Sequence, residues 1–403
     1  MKYPIYKNPV FRVDIEPKDG LTKVTVSGLL SLVSGSAMSK EMSFFDNQRY
    51  IAECGKTAGS TPAGSAPAGS GGPYENTLIY STWMPPIPSP AFKRMVAGRM
   101  KASFGRYRPE QVTISITEEC PNRCLHCALP NKNNHSKLTV DEAKDAIDQA
   151  IRAGATNIIF DGGEPLGYDG LEELIAYVDP KKAISCLFTS GAGLTEEKAV
   201  SLKKAGLYSI SVSIDNPYED KHDEMRGVSG VFKKATAGIS NALKAGLLVN
   251  MYVVLAPHNV NDLEAVKRLA IETGVSELSF YEIVPTGRWL NQRDSVLTAE
   301  QHILFEKFVK ECKEDPACPK IFSGPQVIGA FGCMAGRHWL HITPEGYILP
   351  CSCVPVSYGC VKSGRHAVQK AWKKIRADPA YSKKKGCLMR DSEFREEYED
   401  RFQ

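Results

Sequence analysis

Residues 120–127, CPNRCLHC, place Cys120, Cys124 and Cys127 within eight positions. Thiolates this close together hold soft metals, and a tetrahedral sulfur site suits zinc or iron–sulfur. Four-cysteine zinc sites usually come as two CxxC-type pairs, whereas here the first gap is three residues and no fourth ligand is nearby. A [4Fe–4S] cube normally takes four thiolates, so three would leave one iron open to another ligand. A second group of seven cysteines lies between residues 312 and 387. Cys54 and Cys186 stand apart, and Cys186, in the apolar run AISCLFTS, is expected to be a buried strand thiol.

The elements that must position these thiols are legible from residue 110 onward. QVTISIT is a β-branched strand ending at the cysteine loop, and LTVDEAKDAIDQAIRAG has apolar residues at helical spacing and a Gly stop. Strand and helix then alternate through TNIIFDGGEPLG, AISCLFTSG, LYSISVSID, LLVNMYVVLAP and VSELSFYEIVP. Such alternation implies parallel strands joined by right-handed crossovers. The alternation stops after Pro285, so six units of a partial β/α barrel are expected rather than eight. Chemistry in such sheets sits at the C-terminal strand ends, where both the cysteine loop and GGEP fall.

The first 109 residues form a region of their own. It begins with strand-like stretches such as LTKVTVSGLLSLV and contains the Gly/Ala/Ser/Pro-rich stretch 55–73, which cannot bury a face and suits a flexible insertion. KRMVAGRMKASFGRYR is expected to be an amphipathic helix with a solvated basic face. Fifty basic and forty-six acidic residues nearly cancel, so no strong field for nucleic acid or membrane follows. There is no run of about twenty apolar residues to span a bilayer. The charged, proline-bearing start MKYPIYKNPVF lacks a signal peptide's apolar stretch, so a cytoplasmic protein is expected.

CPNRCLHC, with His126 before its last cysteine, resembles the CxxxCxxC loop of the radical S-adenosylmethionine superfamily. DGGEP at 161–165 is similar to that family's GGEP turn, TSG at 189–191 to its TNG, and VSID at 212–215 with EMRG at 224–227 to its fourth-strand segment. The resemblance covers about residues 110–290. It implies an oxygen-sensitive [4Fe–4S] cluster on Cys120, Cys124 and Cys127, whose open iron is chelated by S-adenosylmethionine. Reductive cleavage would give a 5′-deoxyadenosyl radical that abstracts hydrogen from the substrate. It also implies that Gly162 and Gly163 admit the cofactor's methionine end and that Glu164 accepts from its ammonium. Ser213, Asp215 and Arg226 would meet its ribose or carboxylate, although Asp215 and Arg226 fit a structural salt bridge nearly as well.

Cys333, then twelve residues, Gly346, four residues and Cys351 resemble the opening of the SPASM and twitch extensions that follow such cores. ITPEGYILPC is expected to form a hairpin. A full SPASM tail carries further closely spaced cysteines, and here only Cys387 follows Cys360. One auxiliary [4Fe–4S] cluster is therefore expected, on Cys333, Cys351 and Cys387, with Cys353 or Cys360 as a fourth ligand or substrate in its place. A zinc-stapled tail is the alternative. Cys312 and Cys318 are taken as bystanders, and His338 and His341 as surface residues or neighbours of the cluster.

The expected architecture is thus α/β: a β-rich region over 1–109, a partial (β/α)6 barrel over 110–290 and a cysteine-rich extension over 291–403. The expected function is radical oxidation, cross-linking or rearrangement of a peptide or small-molecule substrate, fed by a ferredoxin- or flavodoxin-type donor. The competing reading is a non-catalytic, metal-stabilised binding or sensor protein.

Overall fold

The computed structural model describes residues 2–7, 11–18, 21–28, 48–53, 76–129, 135–292, 295–382, 386–398 and 400. The stretch 55–73 and Cys54 lie outside the described residues. Before the barrel, β1 (Tyr3–Lys7), β2 (Phe11–Lys18), β3 (Leu21–Gly28) and β4 (Gln48–Arg49) form an antiparallel sheet, and β5 (Ala52–Glu53) pairs with β6 (Leu78–Ile79). Helix α1 (Pro90–Ala102) follows, capped by the Ser89 hydroxyl. This is the basic segment expected to be helical, and its Arg99 grips Glu110 through two bonds of 2.8 Å.

The six expected strands are β7 (Gln111–Thr117), β8 (Asn157–Gly162), β9 (Ile184–Thr189), β10 (Ser209–Ser213), β11 (Leu248–Leu255) and β12 (Glu277–Glu282). All pair in parallel with their sequence neighbours. The helices between them are α2 (Val140–Ala153), α3 (Leu171–Tyr177), α4 (Glu196–Lys204), α5 (Glu219–Arg226), α6 (Val231–Lys244) and α7 (Leu263–Thr273). Helix α2 shows why the pattern folds this way. Thr139 and Glu142 close a capping box, Ala143, Ala146, Ile147 and Ala150 make one buried face, and Gly154 ends the helix.

Beyond Pro285 the alternation was expected to stop, and it continues for one further unit. Helix α8 (Ala299–Glu314) leads into β13 (Lys320–Ser323), which pairs in parallel with β12. The short β13 is half-buried throughout most of its length and lacks an apolar run, so it carries little sequence signal. After α9 (Gly324–Phe331), the expected hairpin appears as β14 (Trp339–Ile342) and β15 (Ile348–Leu349). Strand β14 returns to the far edge and pairs in parallel with β7, giving a nine-stranded sheet in the order 13-12-11-10-9-8-7-14-15. Helices α10 (Ala367–Ala377) and α11 (Ser392–Tyr398) complete the tail.

The segment Tyr80–Met84 plugs the end where the strands begin. The buried Glu277 carboxylate accepts from the Ser81 hydroxyl at 2.9 Å, the Thr82 amide at 2.7 Å and the Thr82 hydroxyl at 2.5 Å. Carbonyls of the plug accept from Tyr208, Ser209 and Asn157, at the starts of the strands or just before them. Trp83 enters the lumen, with its ring 5.3 Å from Phe188 and 5.5 Å from Phe322, and donates to the Ser279 hydroxyl at 3.2 Å. Cys186 is a buried strand thiol as expected, pushed up to about 12 by burial.

Candidate active site

The cysteine loop leaves β7 and is tied down at several points. Arg123 and Leu125 donate their amides to the carbonyls of Arg226 and Met225, both at 2.9 Å. Arg288 donates its amide to the Cys127 carbonyl at 3.0 Å. The chain can pass there only because Gly287 has φ +52° and no side chain, since a Cβ would collide with that carbonyl. The turn after β8 packs as closely. Gly162 has φ +135°, and a Cβ on Gly163 would strike the Glu118 and Glu119 carbonyls, while the Gly163 and Glu164 amides bond Thr117 and Glu119 at 2.6 and 2.7 Å. The two glycines thus bring the second strand end against the first.

At the C-terminal strand ends lies a cavity of about 340 Å³. Cys120, Cys124 and Cys127 line it, together with Gly162, Gly163, Ser213 and Arg226. Cys333, Cys351, Cys353 and Cys387 line the same space from the C-terminal segment, and Cys360 does not. Cys360 instead bridges Tyr347 in the hairpin. Burial pushes the Cys387 thiol up to about 12, with Cys333 and Cys351 adding to it, and contact with Cys353 together with burial raises Cys351. Burial is the leading cause for Cys387 and Cys333, and the neighbouring thiols add to it. Among the described residues, no three His, Cys, Asp or Glu side chains converge tightly enough to cage a single ion. The thiols surround a wider space instead.

Asp215 is fully buried, and Arg226 Nε stands 2.8 Å from its Oδ2, with His126 Nε2 at 3.8 Å. Burial alone would raise this carboxyl, but Arg226, His126 and His222 hold it down to about 2. The pair is an ion contact whose angles depart from an aligned hydrogen bond. Arg226 also reaches the Cys124 sulfur at 3.7 Å. The expected salt bridge is therefore present, and it touches the cysteine loop and retains bonding capacity.

Glu164 is placed differently from its neighbours. Its carboxylate accepts from the Thr189 and Ser190 hydroxyls, both at 2.5 Å, and from the amides of Ser190 and Leu166. Four protein donors occupy it, and it positions the TSG turn after β9. Burial raises its pKa despite those bonds.

Other residues in the cavity carried weaker signals. Asp161 accepts from Ser115 at 2.6 Å, and His341 Nε2 lies 3.4 Å from that hydroxyl. His341 is almost wholly buried and His338 is largely buried beside Glu110, so neither is the surface residue that the sequence suggested. Parallel pairing of β14 with β7 turns both inward. Arg390 binds Glu282 at 2.5 Å and the Ile283 carbonyl at 3.2 Å, which clasps the segment after Cys387 over β12. Cys312 and Cys318 are buried and touch each other, away from both thiol groups.

Residues 114–270 match the family model described as Radical SAM superfamily. Residues 114–270 are thus a radical S-adenosylmethionine superfamily domain. It is 27% identical over 279 residues to an AdoMet-dependent heme synthase of Methanosarcina barkeri, covering 63% of this chain and 80% of that protein. It is 30% identical over 200 residues to an Fe-coproporphyrin III synthase of the same organism, covering about half of each. Among solved structures it resembles Streptococcus suis SuiB bound to precursor peptide SuiA, with a TM-score of 0.57, 16% identity and 71% of each chain covered. It also resembles native anSMEcpe with bound AdoMet, with a TM-score of 0.52 at 16% identity over 66% of this chain and 81% of that one. The protein is thus a radical S-adenosylmethionine enzyme, and such enzymes use a [4Fe–4S] cluster and S-adenosylmethionine. No helix among the described residues is long and apolar enough to cross a membrane.

Proposed function

We propose that Cys120, Cys124 and Cys127 hold a [4Fe–4S] cluster with one open iron and that S-adenosylmethionine binds beside it in the strand-end cavity. The observation that carries this reading is the convergence of two sequence-distant thiol groups on one space. The donor set fits: three thiols from one loop on one side, and four from the C-terminal segment on the other. When bound, the cluster and S-adenosylmethionine supply a 5′-deoxyadenosyl radical that takes hydrogen from an unactivated carbon.

The chain's own residues bind, orient and exclude. Ser213, at the end of β10 on the cavity wall, is suited to the ribose hydroxyls of the cofactor, while the wholly buried Asp215 holds Arg226 from behind at 2.8 Å. Arg226 is suited to the methionine carboxylate. Gly162 and Gly163 offer backbone with no side chain in the way. Glu164 acts one step back, fixing Thr189 and Ser190 at the cavity wall. Cys333, Cys351, Cys353 and Cys387 are proposed to hold one auxiliary [4Fe–4S] cluster in a SPASM- or twitch-like extension, and the place of Cys353 in the cavity favours it over Cys360 as fourth ligand. The electron donor is proposed to be a ferredoxin or flavodoxin, and the setting the reducing cytoplasm, which suits eleven free thiols among the described residues.

For the substrate we favour a carboxylated tetrapyrrole, because relatives named for heme and Fe-coproporphyrin III synthesis match in sequence, whereas the likeness to SuiB and anSMEcpe is one of fold. The test of the radical reading is anaerobic reconstitution followed by dithionite and S-adenosylmethionine. 5′-Deoxyadenosine is expected, and an intact brown protein that forms none overturns it.

A further inference from the structure

A second cavity, of about 450 Å³, lies where the two edges of the partial barrel face each other. Strand β13 and α9 line one side, the start of β14 the other, and α1 with the Tyr80–Pro85 segment the floor. Trp83, Gln111, Tyr281 and Trp339 line both this cavity and the thiol-lined one, so the two adjoin across these four side chains.

Its walls combine flat aromatic surface with positive charge. Tyr281 stacks on Phe322 at 5.5 Å and meets Trp339 at 6.1 Å with the planes 45° apart, which makes a continuous aromatic wall. Arg99, Lys313, Lys320 and Arg337 line the cavity, and Glu110 is the single carboxylate among the described lining residues. Arg99 and Glu110 satisfy each other, which leaves three cations without a carboxylate in the lining. Lys320 sits 3.8 Å over the Tyr80 ring and donates to the Arg49 carbonyl, with Glu277 offsetting its charge in part. Arg337 is held by the carbonyls of Phe331 and Cys333 and stacks on Tyr107. Lys313 bonds the Gln326 side chain at 3.2 Å. Neutral partners orient these cations but do not cancel them, and His338 adds no charge because burial holds it near 4. Cations fixed over apolar walls are costly unless an anion joins them, which applies to the half-buried Lys320 and Arg337, while Lys313 stands exposed at the rim. The thiol-lined cavity differs, because there Arg226 faces Asp215 and Arg390 faces Glu282.

We infer that this second cavity seats the carboxylate-bearing edge of a large flat substrate. Lys313, Lys320 and Arg337 take its carboxylates, Tyr281, Phe322 and Trp339 take its ring face, and the reacting side projects past Trp83 and Trp339 toward the thiols. The inference rests on the tetrapyrrole reading for its substrate class and adds the residues that select it.

The test is a binding titration of the full-length protein with coproporphyrin III, without S-adenosylmethionine or reductant, read by the porphyrin absorbance band and by quenching of tryptophan fluorescence. Saturable binding is expected. The tetramethyl ester, and the variants Lys320→Gln and Lys313→Gln, should each bind about tenfold more weakly or worse, as the loss of a charge-assisted contact implies. Ala330→Trp, on the exposed end of α9, should block the cavity and serves if a lysine variant fails to fold. No saturable binding, or equal affinity in the ester and in every folded variant, overturns the inference. Deoxyadenosine formation by the unaltered enzyme is measured separately. If it occurs while porphyrin binding fails, this inference falls and the radical reading stands; if binding holds and no deoxyadenosine forms, the reverse is true.

Discussion

The two ends of the barrel are built on opposite terms. At the strand starts, a dense hydrogen-bond network joins plug and strands: Glu277 accepts from Ser81 and Thr82, and the plug's carbonyls accept from Tyr208, Ser209 and Asn157, with only Thr156 Oγ1 and the Asn157 amide oxygen left unpartnered among the described residues. At the strand ends, Asp215 and Arg226 meet as a buried ion pair at 2.8 Å without aligned hydrogen-bond geometry, and seven thiols share one cavity. Saturated groups contribute stability, whereas unsatisfied buried ones cost it and are kept where a ligand completes them. The same sheet therefore has one end that holds the fold and one that holds the chemistry.

The largest effect that could break this comparison is at the strand-end rim. Cys124→Ala should reduce deoxyadenosine formation to background while the metal-free protein melts almost as before. A variant that still cleaves S-adenosylmethionine would remove the cysteine loop from the chemistry. Next comes the tail. The reconstituted enzyme should carry about eight irons, and Cys351→Ala about four, whereas Cys360→Ala should keep about eight. Iron loss on changing Cys360 instead would contradict its exclusion from the cavity. At the strand starts, Glu277→Ala should cost on the order of 3–5 kcal/mol in urea unfolding of the metal-free protein, because it strands several buried donors at once. If it instead abolished cleavage in a protein of normal stability, the division between the two ends would fail.

The two ends also differed in how much of them the sequence disclosed. The cysteine loop, GGEP and the six alternating units are local patterns, and each lies where the spacing put it. The hairpin 342–351 was legible as well, but its docking on β7 was not, because that pairing joins Trp339 to Gln111 across more than two hundred residues. Long sequence separation likewise hid the burial of His341 and the clasp between Arg390 and Glu282. The plug was the least legible part. Tyr80–Met84 carries no periodic pattern of its own, and its partners are strand starts about 75 to 195 residues later. Glu164 shows a subtler limit: its motif placed it at the rim, but only packing reveals that Thr189 and Ser190 have already claimed its carboxylate. The choice between Cys353 and Cys360 likewise depended on how the chain after β15 turns.

The smallest expected effect concerns acid. Buried histidines serve both ends: His222, near Asp215, is held down to about 4 chiefly by burial, and so is His338, beside Glu110, while burial also lowers His258 and His341. The His222 Nδ1 accepts the Asp215 amide at 3.1 Å, which requires it to be unprotonated. In the unfolded chain His222 and His338 take a proton near the ordinary value of about 6.5, while the folded protein resists until near 4. The unfolded state therefore binds more protons between these limits, so stability is fully present above about pH 6.5 and falls as pH drops toward 4. Each histidine contributes at most roughly 3 kcal/mol to that fall. Glu110 and Asp215, both held below their ordinary values, act lower in pH, as acidification protonates them. Urea unfolding of the metal-free protein at pH 7, 5.5 and 4.5 should show the decline, and the double variant His222→Gln, His338→Gln should flatten the part those two residues contribute, with His258 and His341 carrying the remainder. Glutamine keeps an acceptor for the Asp215 amide but cannot titrate. If the slope persisted unchanged, acid sensitivity would belong to the carboxylates, and the two ends would respond to pH through their ion pairs instead.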